Sequence, residues 1–353
     1  MKKILASILI SVLVLSFVTM TACKKEEEKP GSKLKVVLYL NGTLGDKSFF
    51  DSANRGIEMA IQDFGIEGKT IEGGNDSSRW EPDLEQLCQG DWDIIIAGTW
   101  QLQESLEKLA PKYPDKKFFT YDTSVDYSKG NLGNIYSILY KQNESSFLVG
   151  ALAALVTTSD MPLANPEKII GFLGGMDIPV INDFKVGYIQ GAKYIDPEVQ
   201  VLVSYAASYT DPAKGKELAL AQYNQGADIS FNVAGETGLG LLDAAKEMKK
   251  YAIGVDSDQY LMFKDSDPEK ASYIVTSMMK NVDESIHRAI KLHIEGKLPY
   301  GQAEALGIKE GGVGVADNEN YRKVVPEEFR NKIKELEEKI LNGEIVVETA
   351  FGE

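Results

Sequence analysis

An aspartate and a lysine, Asp256 and Lys280, are the residues best suited to hold a polar ligand. Asp256 directly follows the short apolar run 252–255, which is typical of a strand buried on both faces of a parallel sheet. Lys280 comes after a second predicted strand, 273–277, and falls in the first turn of a helix predicted over 278–292. A cation in the first turn opposes the helix dipole, so this lysine needs another reason for its position. We predict that Asp256 and Lys280 face one cleft and hold a polar ligand between them.

Acidic and aromatic residues also follow most of the other predicted strands. They are Asp46 and Phe49 after 34–40, Trp100 after 92–97, Asp122 after 117–121, Tyr209 and Asp211 after 200–205, and Gly235 after 229–233. If the strands are parallel, these residues converge at the edge where open α/β sheets bind ligands. For any one ring alone, packing in the core is the better explanation, but the recurrence of the pattern across both lobes predicts a site. Aromatic faces stack on flat ligands, and carboxylates accept hydrogen bonds from hydroxyl groups.

The sequence shows no pattern of a nucleophilic or phosphate-transferring enzyme. It has no Gly-x-Ser-x-Gly motif and no phosphate loop, since the glycine-rich stretch GETGLG at 235–240 lacks the lysine. We interpret its glycines as allowing a ligand to approach the backbone closely. Two histidines and two cysteines provide neither a metal cluster nor a disulfide framework. We therefore expect no cofactor, no metal and no catalysis, with a hydrolase that uses Asp46 or Asp256 as its base as a less favoured alternative.

Length and charge restrict the class of protein further. A chain of 353 residues is long enough for two domains, and its formal charge of -15 argues against nucleic acid as a partner. Residues 1–22 combine a basic start, a short apolar core and small residues, as secretory signals do. The cysteine that follows, Cys23, resembles that of a bacterial lipobox, with Met20 in place of the usual leucine. The resemblance implies removal of 1–22, a diacylated Cys23, and an extracytoplasmic protein anchored to the cell membrane, with 23–33 as a flexible tether.

Strand and helix patterns alternate along the rest of the chain, from the strand at 34–40 to the strand at 252–255. This alternation predicts an α/β fold with two doubly wound, Rossmann-like lobes joined by a hinge. We expect the first lobe to comprise 34–142 and 277–314, and the second to comprise 143–276 and 315–353. A charged amphipathic helix at 326–343 is expected to cover the surface.

Several motifs together make the chain similar to the basic membrane protein family, the lipoproteins that include the purine nucleoside receptor of spirochaetes. The similarity covers roughly 34–310 and rests on GDKSF at 45–49, GGMDIP at 174–179, SYTDPAKGKEL at 208–218, NVAGETG at 232–238, GVDSDQ at 254–259 and TSMMK at 276–280. It implies a type I periplasmic-binding-protein fold that captures a ligand for the permease of an ABC importer. We also expect a monomer that performs no reaction, although a surface receptor or adhesin with the same pocket is a further alternative.

The resemblance also implies roles for individual residues. Phe49 would stack on a nucleoside base, and Asp46 and Asp122 would bond to base or sugar. Gly235 would contribute its backbone, and Asp256 with Lys280 would hold the ribose hydroxyls.

The chain departs from the family's nucleoside binders at three positions. Phe50 stands where they usually have asparagine, Tyr209 stands where they usually have phenylalanine, and Trp100 adds a large ring. The loss of an amide at position 50 removes a group that could read the edge of a purine. A purine nucleoside is the expected ligand, and riboflavin, which has a three-ring face and a ribityl chain, is the alternative.

Overall fold

The computed structural model describes residues 33–351, which form two six-stranded α/β sheets. The predicted signal segment 1–22, the lipidated Cys23 and nearly all of the tether 23–33 lie outside the described residues. The strands, in chain order, are β1 Lys35–Leu40, β2 Glu67–Glu72, β3 Ile94–Ala97, β4 Lys117–Tyr121, β5 Ile135–Tyr140, β6 Ile169–Gly174, β7 Gln200–Tyr205, β8 Ala227–Val233, β9 Tyr251–Asp256, β10 Ile274–Lys280, β11 Gln302–Leu306 and β12 Val313–Val315.

Helices connect these strands and cover both faces of each sheet. They are α1 Phe49–Phe64, α2 Ser77–Gln89, α3 Gln103–Leu109, α4 Gln142–Thr157, α5 Pro179–Ile195, α6 Pro212–Asn224, α7 Leu239–Met248, α8 Gln259–Phe263, α9 Pro268–Tyr273, α10 Val282–Ile294, α11 Glu319–Val324 and α12 Glu327–Leu341. Short 3₁₀ turns occupy Trp100–Leu102, Tyr127–Lys129 and Gly235–Gly238. No helix within 33–351 has both the length and the apolar character needed to span a membrane.

The two sheets share one topology, which confirms the predicted doubly wound fold. The first has the order β2-β1-β3-β4-β5-β11 and is parallel throughout, and the second has the order β7-β6-β8-β9-β10-β12 with only β12 antiparallel. In each sheet the strand order reverses beside the first strand, between β1 and β3 and between β6 and β8. Ligands of open α/β sheets bind outside the carboxyl ends of the strands at such switch points.

The central strands form the core of each sheet because their side chains are apolar on both faces. All four residues of β3 and all six of β9 are buried, whereas β2 lies at an edge and is largely exposed. The expected surface helix is present as α12, and it buries Ile333 and Leu336 against α4. It therefore contributes to the core as well as covering it.

The chain passes between the two sheets three times: after β5, after β10 and between β11 and β12. The expected lobe boundary at 276/277 falls inside β10, whose residues pair with β9 in the second sheet. The crossing comes after Lys280, since α10 packs against α1 of the first half. The expected limit at 314 likewise falls inside β12, which pairs with the end of β10.

Candidate functional site

A single cavity of about 320 Å³ brings the predicted site residues together. Its walls come from the carboxyl ends of strands in both sheets and from the loops that follow them. Nine of the predicted residues line it: Asp46, Phe49, Phe50, Trp100, Asp122, Tyr209, Gly235, Asp256 and Lys280. Asp211, which was expected to converge with them, does not line it, because its side chain caps α6. Strand ends of both halves thus share this cavity, and the binding roles of these side chains stay a prediction.

Asp256 ends β9 and is almost fully buried, with 7 % of its surface exposed. Its Oδ2 accepts a hydrogen bond of 2.6 Å from the hydroxyl of Ser48, which belongs to the loop between β1 and α1. Burial raises the pKa of Asp256 to about 6, and the nearby Asp122 and Asp46 add to this, while Lys280 and the Ser48 hydroxyl lower it. The second sheet therefore presents a carboxylate that is poorly hydrated and bonded to the first half.

Lys280 lies at the end of β10, where it is 2 % exposed and completes a charged cluster. Its Nζ donates a 2.5 Å hydrogen bond to Oδ1 of Asp122, which follows β4 of the first sheet. The ammonium group also lies 4.6 Å from the ring centroid of Phe184, 5.4 Å from that of Tyr140 and 5.8 Å from that of Phe49. We call Ser48, Asp122, Asp256 and Lys280 the charged cluster, and its two hydrogen-bonded pairs each join one sheet to the other.

The prediction that Lys280 occupies the first turn of a helix is wrong. Met278, Met279 and Lys280 pair with Val315, Gly314 and Val313 of β12, which extends β10 to its last residue. Helix α10 begins only at Val282. The helix-dipole argument therefore does not apply, and Lys280 reaches the cavity as a strand-end residue like Asp256.

Several strand-end residues at the cavity have a left-handed backbone. The φ angle is +74° at Thr99, +60° at Asp122, +55° at Gly235 and +62° at Asp256. Residues other than glycine rarely adopt this conformation, although aspartate tolerates it better than most. Such strain is concentrated at ligand-binding and catalytic sites, where the surrounding structure holds it in place.

Asp46 lines the cavity, but its carboxylate is largely occupied by the backbone. It accepts hydrogen bonds from the N–H groups of Ser48, Phe50 and Asp51 at 3.0, 2.8 and 3.1 Å, at the beginning of α1. Burial raises its pKa, and these three donors lower it. The structure thus gives Asp46 a clear task, which is to hold the first turn that carries Phe49 and Phe50.

Aromatic rings from both halves face the cavity. Phe49 packs against Tyr121 with centroids 5.4 Å apart and meets Phe50 edge-on at 5.5 Å. Tyr209 comes from the second half, and its ring lies so close over Gly175 that an added Cβ would be 2.4 Å from it. A flat ligand between the halves would therefore find a ring on either side.

Sequence reasoning missed a polar network beside these rings. Asn41 Nδ2 donates to Thr99 Oγ1 and to Gln101 Oε1, both at 3.0 Å, and all three residues line the cavity. Asn75 and Trp80 also line the cavity and were not predicted. Asn41 directly follows β1, and one residue separates Thr99 from the end of β3. The search for charged and aromatic residues after strands selected Asp122 and Asp256, and it would have found Asn41 and Thr99 had it included amides and hydroxyls.

Other strand-end residues have local structural tasks. Asp211 caps α6 by accepting from the N–H of Lys214, and Asp258 caps α8 and accepts from Asn318 at 2.9 and 3.0 Å. His287 contacts Asp63, and His293 contacts Tyr300. Within 33–351, no group of three or more histidine, cysteine or acidic residues is arranged to hold a metal ion.

A second cavity of about 1040 Å³ adjoins the first and shares Trp100, Asp122 and Val180 with it. The C-terminal residues 343–351 form much of its wall. Asp183 of α5 secures this segment by accepting from the Thr349 hydroxyl at 2.6 Å and from the Ala350 N–H at 2.9 Å. The first cavity therefore continues beyond Trp100 into a larger, mostly apolar space.

Comparison with known proteins gives a consistent result. A sequence profile described as "ABC transporter substrate-binding protein PnrA-like", named Bmp, matches residues 33–350. Basic membrane protein A of Borreliella burgdorferi is 30% identical, with 98% of this chain and 96% of that protein covered. The "ABC transporter nucleoside-binding protein BmpA" of Lactococcus lactis is 28% identical, with 90% of each covered. An ABC transporter solute-binding protein from Aeropyrum pernix has a similar crystal structure, with a TM-score of 0.77, 28% identity and coverage of 89% of this chain and 94% of that one.

Proposed function

Because this chain belongs to the Bmp family of PnrA-like substrate-binding proteins of ABC transporters, we propose that it captures a purine nucleoside and delivers it to the permease of an importer. The observation that carries the proposal is the charged cluster beside two rings from opposite halves. In the proposed complex, Phe49 and Tyr209 stack on the base, while Asp256 and Lys280 bond to the ribose hydroxyls.

Capture on this proposal requires the two halves to close on the ligand. The three crossings, at residue 141, at residue 281 and over 307–312, form the hinge, and closure buries the ligand between the sheets. The hydrogen bonds Ser48–Asp256 and Asp122–Lys280 already join the halves, so hydroxyl groups of a sugar would enter an existing set of donors and acceptors. The ligand biases the opening equilibrium by adding contacts that exist only in the closed form.

Titration calorimetry with inosine, guanosine and adenosine tests the proposal. We expect saturable binding by the unmodified protein, and a loss of affinity of at least about a hundredfold in Asp256→Ala, because that carboxylate lines the cavity. Asp258→Ala is the matched control, since Asp258 caps α8 and does not line the cavity. Absence of binding to all three nucleosides, or equal losses in the two variants, would contradict the proposed site. Release of free base from a bound nucleoside would instead indicate a hydrolase.

Riboflavin is the second candidate, and the extent of aromatic and apolar wall favours it. Phe50, Trp80 and Trp100 add rings to the cavity, and the adjoining space beyond Trp100 offers room for a longer ligand. The protein purified from its natural host would then be yellow, and added riboflavin would raise its Tm. A colourless protein whose Tm does not respond to riboflavin excludes this ligand.

The proposal places the protein at the outer face of the cell membrane, held by a diacyl lipid on Cys23 as a monomer. One relative, from Pyrococcus furiosus, is named as a lipoprotein; it is 30% identical to this chain, with 96% of this chain covered. Cys23→Ala tests the anchor: we expect the variant in the soluble fraction and the unmodified protein in the membrane fraction. An unmodified protein that lacks lipid and stays soluble would contradict the anchor without affecting the ligand site.

A further inference from the structure

The amides of Asn41 and Gln101 meet at the switch point of the first sheet, where ligand contacts concentrate in this class of fold. Asn41 follows β1, and Gln101 lies in the 3₁₀ turn after β3, which is the neighbour of β1 across the reversal of strand order. We call these two residues the amide pair. Both line the cavity, and neither forms a hydrogen bond with the charged cluster.

The pair is held firmly from one side. Asn41 is 6 % exposed and donates its second amide hydrogen to the Thr99 hydroxyl. Thr99 keeps its left-handed backbone while its N–H bonds to the carbonyl of Tyr121 at 2.9 Å. Gly98 packs so tightly on the Tyr121 ring that an added Cβ would lie 2.5 Å from it. Asn41 is therefore fixed in position, while Gln101 is exposed at the cavity.

A single N–H···O hydrogen bond between two amides leaves free the oxygen of the donating amide and the NH₂ group of the accepting amide. When Asn41 Nδ2 donates to Gln101 Oε1, the Asn41 oxygen and the Gln101 NH₂ group remain. When both amides are turned over, the Asn41 NH₂ group and the Gln101 oxygen remain. The Thr99 hydroxyl is compatible with both arrangements, because a hydroxyl both donates and accepts. The two arrangements differ only in hydrogen positions and in the exchange of oxygen and nitrogen.

These two arrangements match the two kinds of purine edge. A 6-oxo purine presents an acceptor at O6 beside a donor at N1, and a 6-amino purine presents a donor at N6 beside an acceptor at N1. We propose that the amide pair reads this edge of the bound base and adapts to either kind by turning both amides over together. The pair thereby supplies the amide function that Phe50 cannot provide, and the Phe50 ring lies against Gly42, next to Asn41.

This inference rests on the proposed function, because it takes the bound heterocycle to be a purine. Its test is calorimetry with inosine, adenosine and purine riboside, which lacks any group at position 6. We expect Kd values for inosine and adenosine within about tenfold of each other, and purine riboside to bind about tenfold more weakly. Gln101→Met removes the donor and acceptor but keeps the length of an exposed side chain. It should weaken inosine and adenosine about tenfold and purine riboside less, so that the difference between them shrinks.

Gln89→Met is the control, since Gln89 is an exposed glutamine of the same half whose amide donates a hydrogen bond to the Tyr113 hydroxyl and does not line the cavity. It should bind all three nucleosides as the unmodified protein does. The inference is overturned if Gln101→Met binds inosine and adenosine with unchanged affinity, or if the unmodified protein prefers one of them by more than about a hundredfold. Those results leave the proposed function standing, whereas an unmodified protein that binds none of the three removes both.

Discussion

Replacing Asp256 with asparagine should make the protein more stable while it weakens ligand binding, because a charged oxygen that lines the cavity is lost. Burial raises the pKa of this carboxyl from an ordinary 3.8 to about 6, so the folded state holds the proton more tightly than the unfolded state. Above pH 6 the charged carboxylate therefore destabilises the fold. At about 1.4 kcal/mol for each pKa unit, the difference amounts to about 3 kcal/mol at neutral pH. Asparagine removes this penalty and still accepts the hydrogen bond from Ser48.

The size of the gain should depend on pH in a defined direction. Between about pH 4 and pH 6 the unmodified protein loses stability as the pH rises, so Asp256→Asn gains nothing near pH 4 and about 3 kcal/mol at pH 7. For a chain of 353 residues this corresponds to a Tm about 4 °C higher. Asparagine also tolerates the left-handed backbone, so the substitution adds no strain.

Thermal unfolding of the ligand-free proteins at pH 4, 5, 6 and 7 measures the effect, with calorimetry for binding. Asp258→Asn is the matched control, because Asp258 bonds to Asn318 with both oxygens and does not line the cavity. It should keep nucleoside affinity and gain less stability at pH 7 than Asp256→Asn, because burial raises the pKa of Asp258 too, while the Asn318 amide and backbone N–H groups lower it. The reasoning is refuted if Asp256→Asn has an unchanged or lower Tm at pH 7, or if its gain is the same at pH 4.

Substitutions at three further positions probe the rings and the cross-sheet ion pair. Lys280→Met leaves the carboxylate of Asp122 without its cation. Calorimetry should show that nucleoside affinity falls at least about a hundredfold, and thermal unfolding should show a lower Tm. An unchanged Kd would contradict the role of the lysine. Tyr209→Ala should lower nucleoside affinity by about tenfold to a hundredfold, whereas Tyr209→Phe should bind as the unmodified protein does, because stacking needs only the ring. Equal affinities of the two variants would exclude stacking. Gly98→Ala places a methyl group against the Tyr121 ring. Urea unfolding should show a free energy of unfolding lower by about 1–3 kcal/mol. An unchanged free energy of unfolding would show that the contact relaxes freely.

Most of the parallel framework could be predicted from the sequence because its strands are short apolar runs between turn-rich loops. The strands 117–121 and 200–205 were predicted with the bounds that the structure shows. The end of β10 could not be predicted, since the residues that extend it, Val313–Val315, lie more than thirty positions away along the chain. β11 was missed for a different reason: four of its five residues are at least partly exposed, which leaves no apolar run to recognise.

The candidate site was predictable where a charge or a ring follows a strand, and less so where a neutral side chain does. Asp256 and Lys280 are conspicuous by type, and the cavity contains both. Asn41 and Gln101 resemble ordinary loop residues, and only the neighbouring positions of β1 and β3 in the sheet bring their amides together. The occupation of the Asp46 carboxylate by three backbone N–H groups is likewise visible only once α1 has its observed first turn.

The left-handed backbone of some cavity residues limits which side chains can replace them, whereas other cavity residues have no such limit. At positions 122 and 256 the φ angles of +60° and +62° favour glycine, asparagine and aspartate over other replacements. Asn41, Phe50 and Gln101 have no such restriction, because their φ angles lie in the ordinary negative range. A descendant of this protein, natural or engineered, would therefore acquire a new ligand preference by exchanging side chains at 41, 50 and 101, while 122 and 256 stay as they are.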